Sequence, residues 1–105
     1  MKKITPVELK EQLEQQRPVF LLDIREQYEW DLSHIPATHI PMAEVCDQVE
    51  ILPLDQEIVV ICKSGRRAEA VANVLIQDYN MSNVSVLKGG LSGWKEEVDS
   101  NLIID

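Results

Sequence analysis

The segment Cys62-Lys63-Ser64-Gly65-Arg66-Arg67 sets one sulfur beside three cations, in a chain with only 10 Lys and Arg against 18 Asp and Glu. It follows the apolar, largely β-branched run that begins at Glu57, and precedes a stretch in which Val71, Ala72, Leu75 and Tyr79 recur at helical spacing. A strand that ends at a cysteine and turns directly into a helix can aim several backbone amides at one point, as phosphate-cradling loops do. Gly65 lets that turn take backbone angles a side chain would forbid. The amides, the helix dipole and the side chains of Lys63, Arg66 and Arg67 all favour an anion at the centre, and the sulfur is the natural one. Thiols in such surroundings ionise well below their ordinary value of about 8.5. Cys62 is therefore expected to be a thiolate nucleophile that needs no neighbouring base. The same charge would attract a small anionic substrate, with Lys63, Ser64, Gly65, Arg66 and Arg67 as its contacts.

A cysteine closing an apolar strand is most often a small buried hydrophobe. That explains Cys62 alone. It leaves unexplained why cations gather at the positive end of a helix, where the dipole repels them, unless an anion binds there. Cys46, in Ala43-Glu44-Val45-Cys46-Asp47, has acidic neighbours that disfavour a thiolate, and is expected to be a passive helix residue.

The flanking pattern says which elements position the loop. Thr5, Pro6 and Glu8 form a capping box with proline at the first helical position, and Ile4 and Leu9 are spaced as a hydrophobic staple, so a helix starts at Pro6. The continuous apolar run from Pro18 to Ile24 suits a strand buried on both faces, and a short helix is expected through Glu26 to Leu32. Two Ile-Pro pairs between Ser33 and Met42 predict a loop, with a further short helix from Met42. Val84 to Gly90 reads as a third strand ended by two glycines, and Leu91, Trp94 and Val98 mark a last helix with its apolar stripe inward. Strands separated by helices predict an α/β fold with a central, mostly parallel sheet and helices on both faces. Ligand sites in such sheets gather at the carboxyl ends of the strands, where Cys62 falls.

At 105 residues with 45% apolar content the chain is the size of one domain, expected over 1–105. A net charge of -8 argues against nucleic acid as a partner. No stretch is long and apolar enough for a membrane span. The start lacks the apolar run of a secretory signal, and two cysteines 16 positions apart are more often thiols than a disulfide, so a reducing cytoplasm is expected.

The motifs together resemble the single-domain rhodaneses, the sulfurtransferases. The resemblance runs from about Val19 to Val98 and rests on Cys62 to Ala68, on Val86-Leu87-Lys88-Gly89-Gly90-Leu91-Ser92-Gly93-Trp94, on Leu21-Leu22-Asp23-Ile24-Arg25-Glu26 and on Ser33-His34-Ile35-Pro36, in family order. It implies a rhodanese-like fold and a ping-pong transfer without metal or cofactor. In that reaction Cys62 takes a sulfane sulfur from an anionic, thiosulfate-type donor as a persulfide and passes it to cyanide, a thiol or a protein acceptor. By the same resemblance Asp23 and Arg25 fix neighbouring loops, His34 is a hydrogen-bonded structural residue, and Gly89, Gly90 and Trp94 belong to a structural motif. Ser33, Ala37 and Thr38 depart from the family's usual Gly-His-Ile-Pro-Gly-Ala.

Two rival classes remain. A cysteine-based phosphatase or arsenate reductase also sets a thiolate in an amide-lined loop, but phosphatases of that kind place an arginine six positions after the cysteine, where this chain has Ala68. A non-catalytic interaction module, or a persulfide carrier serving one protein partner, would keep the fold without free turnover. Retention of Cys62, Gly65 and the cations speaks for chemistry.

Overall fold

The computed structural model describes residues 1–104; Asp105, the end of the expected domain, lies outside the described residues. Five strands, β1 (Lys3–Ile4), β2 (Val19–Asp23), β3 (Thr38–His39), β4 (Glu57–Ile61) and β5 (Val84–Leu87), form one sheet in the order β1-β5-β4-β2-β3. Every pairing is parallel. The helices are α1 (Pro6–Glu14), α2 (Gln27–Leu32), α3 (Arg66–Tyr79) and α4 (Gly90–Glu97), with a kinked 3-10 segment over Met42–Ile51.

Successive side chains of a strand point to opposite faces, and the apolar runs fill both. Leu22, Ile58, Val60, Val84 and Val86 meet Ala68, Val71, Ala72 and Leu75 of α3 and Val45 of the 3-10 segment. Leu21, Val59, Ile61 and Leu87 meet Leu9 of α1 and Leu91 and Trp94 of α4. The expected α/β sheet with helices on both faces is thus the observed one. β4 lies at its centre between β5 and β2, so the chain that leaves β4 at Cys62 emerges where both neighbours shield it.

The α1 cap forms as the sequence predicts. Thr5 Oγ1 accepts the Glu8 amide at 3.1 Å, and the Glu8 carboxylate accepts the Thr5 amide at 2.9 Å. Those Thr5 hydrogen bonds hold the Glu8 carboxyl below its usual range. Three details depart from expectation. β1 and β3 have only two residues each, too short to leave a periodic signal. Helix α3 begins at Arg66, five residues before Val71, the first of the periodic apolar positions, which places both arginines in its first turn. Tyr79, expected on the inward stripe with Val71 and Leu75, is 41% exposed at the last position of α3.

Candidate active site

Three backbone devices shape the loop after β4. Gly65, the N-cap of α3, sits at φ +103°, a left-handed region that side chains rarely adopt. The Gly65 amide donates to Cys62 Sγ at 3.0 Å and the Ala68 amide at 3.3 Å. The N-terminus of α4 then takes up the loop carbonyls: the Leu91 amide donates to Cys62 O and the Ser92 amide to Lys63 O, both at 2.9 Å. In a trans peptide the N–H opposes its carbonyl, so anchoring these two oxygens turns the Lys63 and Ser64 amides away from α4. Among the described residues the amides of Lys63, Ser64, Arg66 and Arg67 have no protein acceptor. The loop thus combines an occupied inner pair of donors with four further ones free to receive an anion.

Gly90 makes that docking possible. It lies at φ +59°, and a Cβ there would fall 2.5 Å from both the Cys62 and the Lys63 carbonyl oxygens. Gly89, at φ +75°, is the N-cap of α4. Trp94 is 7% exposed and packs with Leu9 and Leu91 on the face of the sheet that α1 and α4 cover. The sequence marks this stretch only as structural. Its specific job is to hold the cysteine loop by its carbonyls.

Cys62 itself is fully buried and joins the apolar cluster between the sheet and α3. Its sulfur nonetheless has main-chain donors aimed at it, which places it at the boundary between core and loop. Ser64 and Arg66 are exposed and Lys63 is half-buried. Arg67 is committed elsewhere. Its two terminal nitrogens donate to the two carboxylate oxygens of Glu29 at 2.7 and 2.9 Å.

Glu29 links the loop to a second network at the carboxyl end of β2. Arg25, 2% exposed, chelates Asp23 through Nε at 3.0 Å and a terminal nitrogen at 2.9 Å, and also donates to Ser33 O at 2.9 Å and to Glu29 O at 3.4 Å. The Asp23 carboxylate receives the Arg25 amide as well, at 3.0 Å. One buried ion pair therefore ties the end of β2 to the body and the C-terminal end of α2. The Glu29 side chain caps α2 by accepting the Glu26 amide at 3.0 Å, and the Arg67 hydrogen bonds, helped by that cap, hold its carboxyl down to about 2. Arg67 is in turn pushed further toward its charged form, chiefly by Glu29, with contributions from the nearby Cys62 and Tyr28.

His34 is exposed. Its Nδ1 lies 2.8 Å from the Trp30 carbonyl, to which it must donate, and its ring stacks on Trp30 at 3.6 Å. His39 donates from Nε2 to Arg25 O at 2.8 Å and also stacks on Trp30, at 4.7 Å. Neither histidine contacts the sulfur among the described hydrogen bonds. Cys46 is exposed on the 3-10 segment and lies against the Tyr79 hydroxyl, whose ionisation it disfavours. No group of three or more His, Cys, Asp or Glu could hold a metal ion among the described residues. Nor is any helix long and apolar enough to cross a membrane.

Sequence reasoning did not single out Glu29. A signal existed: Glu29 lies three residues after Glu26, the N3 spacing of a capping box, and that cap is what turns its carboxylate back toward the start of α2. Its partner, 38 positions away, could not be read from the sequence.

An amide-lined cysteine loop at the carboxyl edge of a parallel sheet defines a class of α/β domains built for anionic or thiolate chemistry. Within that class, the Rhodanese-like domain family profile matches residues 5–97, and the chain belongs to that family. It is 36% identical over 98 residues to YtwF of Bacillus subtilis (strain 168), provisionally named a sulfurtransferase, covering 92% of this chain and 93% of that one. It is 32% identical over 105 residues to MoeZ of Mycobacterium tuberculosis (strain CDC 1551 / Oshkosh), whose name joins adenylyltransferase and sulfurtransferase; there it spans only 26% of the relative's length. The crystal structure of a rhodanese-like domain protein from Staphylococcus aureus superposes with a TM-score of 0.82 at 30% identity, covering 100% of this chain and 99% of that one.

Proposed function

We propose that the protein is a sulfurtransferase that carries sulfane sulfur on Cys62. The Cys62 thiolate attacks the terminal sulfur of an anionic donor such as thiosulfate. The donor's sulfur–sulfur bond breaks, the electron pair leaves on sulfite, and Cys62 is left as a persulfide anion. A nucleophile, cyanide in an assay or a thiol or protein thiolate in a cell, then attacks the outer sulfur and releases the Cys62 thiolate. Charge stays on sulfur throughout both halves, so preorganised amides that bind an anionic sulfur serve each step. The observation that supports this reading most is the pair of amides, Gly65 and Ala68, aimed at Sγ beside four amides without a protein acceptor among the described residues.

The exposed loop cation Arg66, with Lys63, Ser64 and Gly65, would receive the donor. Asp23, Arg25, His34, Gly89, Gly90 and Trp94 would hold the frame. Two free thiols suit a reducing, cytoplasmic setting. A persulfide-carrier role uses the same covalent state and differs only in its acceptor; it is favoured to the extent that the buried sulfur restricts access, and a relative from Bacillus subtilis (strain 168), 33% identical over 81 residues, carries a sulfur-carrier name. Phosphatase chemistry fits less well, since the position that would supply a phosphate-binding arginine is Ala68, whose amide serves the sulfur.

The test is a donor panel with thiocyanate formation as the readout. Thiosulfate should support turnover in the parent protein, and Cys62→Ser should abolish it. Hydrolysis of an aryl phosphate that Cys62→Ser removes, with no sulfur transfer from any donor, would replace this reading with the phosphatase one.

A further inference from the structure

We propose that Glu29 sets the charge preference of the cysteine site by withholding Arg67 from incoming anions, a role that rests on the sulfur-transfer reading above. The sequence supplies three loop cations. Among the described residues Lys63 and Arg66 have no ion-pair partner, whereas both oxygens of Glu29 are taken by both terminal nitrogens of Arg67. A bidentate fork of this kind is the strongest form of the pair and the least free to re-aim.

The carboxylate cannot drift away either. Glu29 is 5% exposed, its Oε1 also accepts the Glu26 amide, and its helix is fastened to β2 by the buried Arg25–Asp23 pair. A buried carboxylate is costly unless something requires its charge at that place. Here it is a fixed negative charge set against the cation nearest in sequence to Ala68, the residue whose amide binds the sulfur. The result is a site with two available cations instead of three. Such a site holds a dianionic donor less strongly, relative to a monoanionic or neutral one, than its sequence implies. Glu29 thus acts through Arg67 as a positioning and specificity residue.

Two pairs of reagents read the charge preference. Iodoacetate and iodoacetamide are nearly the same size and alkylate Cys62 alike, but only the first is an anion, so their rate ratio cancels access to the buried sulfur. Thiosulfate and methanethiosulfonate deliver the same terminal sulfur by the same bond cleavage, with the electron pair leaving on sulfite or on methanesulfinate, but carry two and one negative charges. In a Cys46→Ser background, so that intact mass reports Cys62 alone, Glu29→Gln should raise the iodoacetate to iodoacetamide ratio about three- to tenfold. The thiosulfate to methanethiosulfonate ratio in kcat/KM should rise in the same direction. Arg67→Gln alone should lower both ratios, because it leaves the Glu29 carboxylate unpaired, whereas the double variant Glu29→Gln/Arg67→Gln, which removes both charges of a neutral pair, should move them less than about twofold.

Equal losses with both members of each pair in Glu29→Gln would reduce Glu29 to a structural residue and overturn the proposal. So would a fall in the ratios in the double variant as large as the expected rise, which can be read even if Glu29→Gln does not fold, because the double variant leaves neither charge unpaired. Alkylation requires no sulfur transfer. A protein whose alkylation ratios respond as expected, but which takes sulfur from neither donor, would overturn the sulfur-transfer reading and leave the charge control by Glu29 in place.

Discussion

The carboxyl edges of the neighbouring parallel strands β2 and β4 are built in opposite ways. After β2, Asp23, Arg25, Ser33 and the Glu29 carbonyl satisfy one another with side-chain charges sunk in the protein. After β4, Cys62 is followed by main-chain donors, four of which have no protein acceptor among the described residues. One edge is built to hold itself and the other to hold something else. Burying and pairing charge beside β2 leaves the β4 loop free to keep its donors unpaired, because the frame around it does not depend on them.

The comparison predicts a ranking of effects. Arg25→Ala should cost most in stability, about 3 to 5 kcal/mol, because it strands the fully buried Asp23 carboxylate. Urea denaturation would show it, and a loss below about 1 kcal/mol would mean that the β2 end is not the rigid half. Gly90→Ala should come next. The added methyl meets the Cys62 and Lys63 carbonyls, so the loop must shift, with about 1 to 3 kcal/mol lost and Cys62 sulfur loading slowed at least tenfold. Unchanged loading in a Gly90→Ala protein would separate the α4 docking from the chemistry.

The ion pair joining the two edges adds a pH dependence. The Glu29 carboxyl is held at about 2 in the folded protein against an ordinary 4.5. Its contribution is therefore complete above about pH 4.5 and is lost as pH falls toward 2. With Arg67 36% exposed, the contribution is screened to about 1 to 2 kcal/mol, and Glu29→Gln should remove that part of the acid dependence. Smallest is Thr5→Ala, which breaks the α1 cap on the far face. It should cost about 1 kcal/mol and leave sulfur loading untouched.

The two edges also differ in how far the sequence reveals them. The strands carrying them, Val19–Asp23 and Glu57–Ile61, are legible because both faces of a central parallel strand are buried and the apolar run is unbroken. The cysteine loop is legible because backbone chemistry leaves local marks: an apolar strand, a glycine that must turn left-handed and a helix start adjacent in the chain. The side-chain network is only half legible. Asp23 and Arg25 lie two positions apart, but the link from Glu29 to Arg67 spans 38 positions, and nothing in either segment announces the other. Tyr79 marks a further limit, since helical spacing says which way a residue points and not whether the helix has already passed the edge of the sheet.

The claim at the centre is that the β4 loop, by its main chain, makes one of two thiols a sulfur acceptor. Incubation with thiosulfate, followed by peptide-resolved mass spectrometry under non-reducing conditions, tests it directly. The expected result is a single added sulfur atom on the peptide containing Cys62, and none on that containing the exposed Cys46. Sulfur on Cys46 alone, or equally on both, would contradict the account.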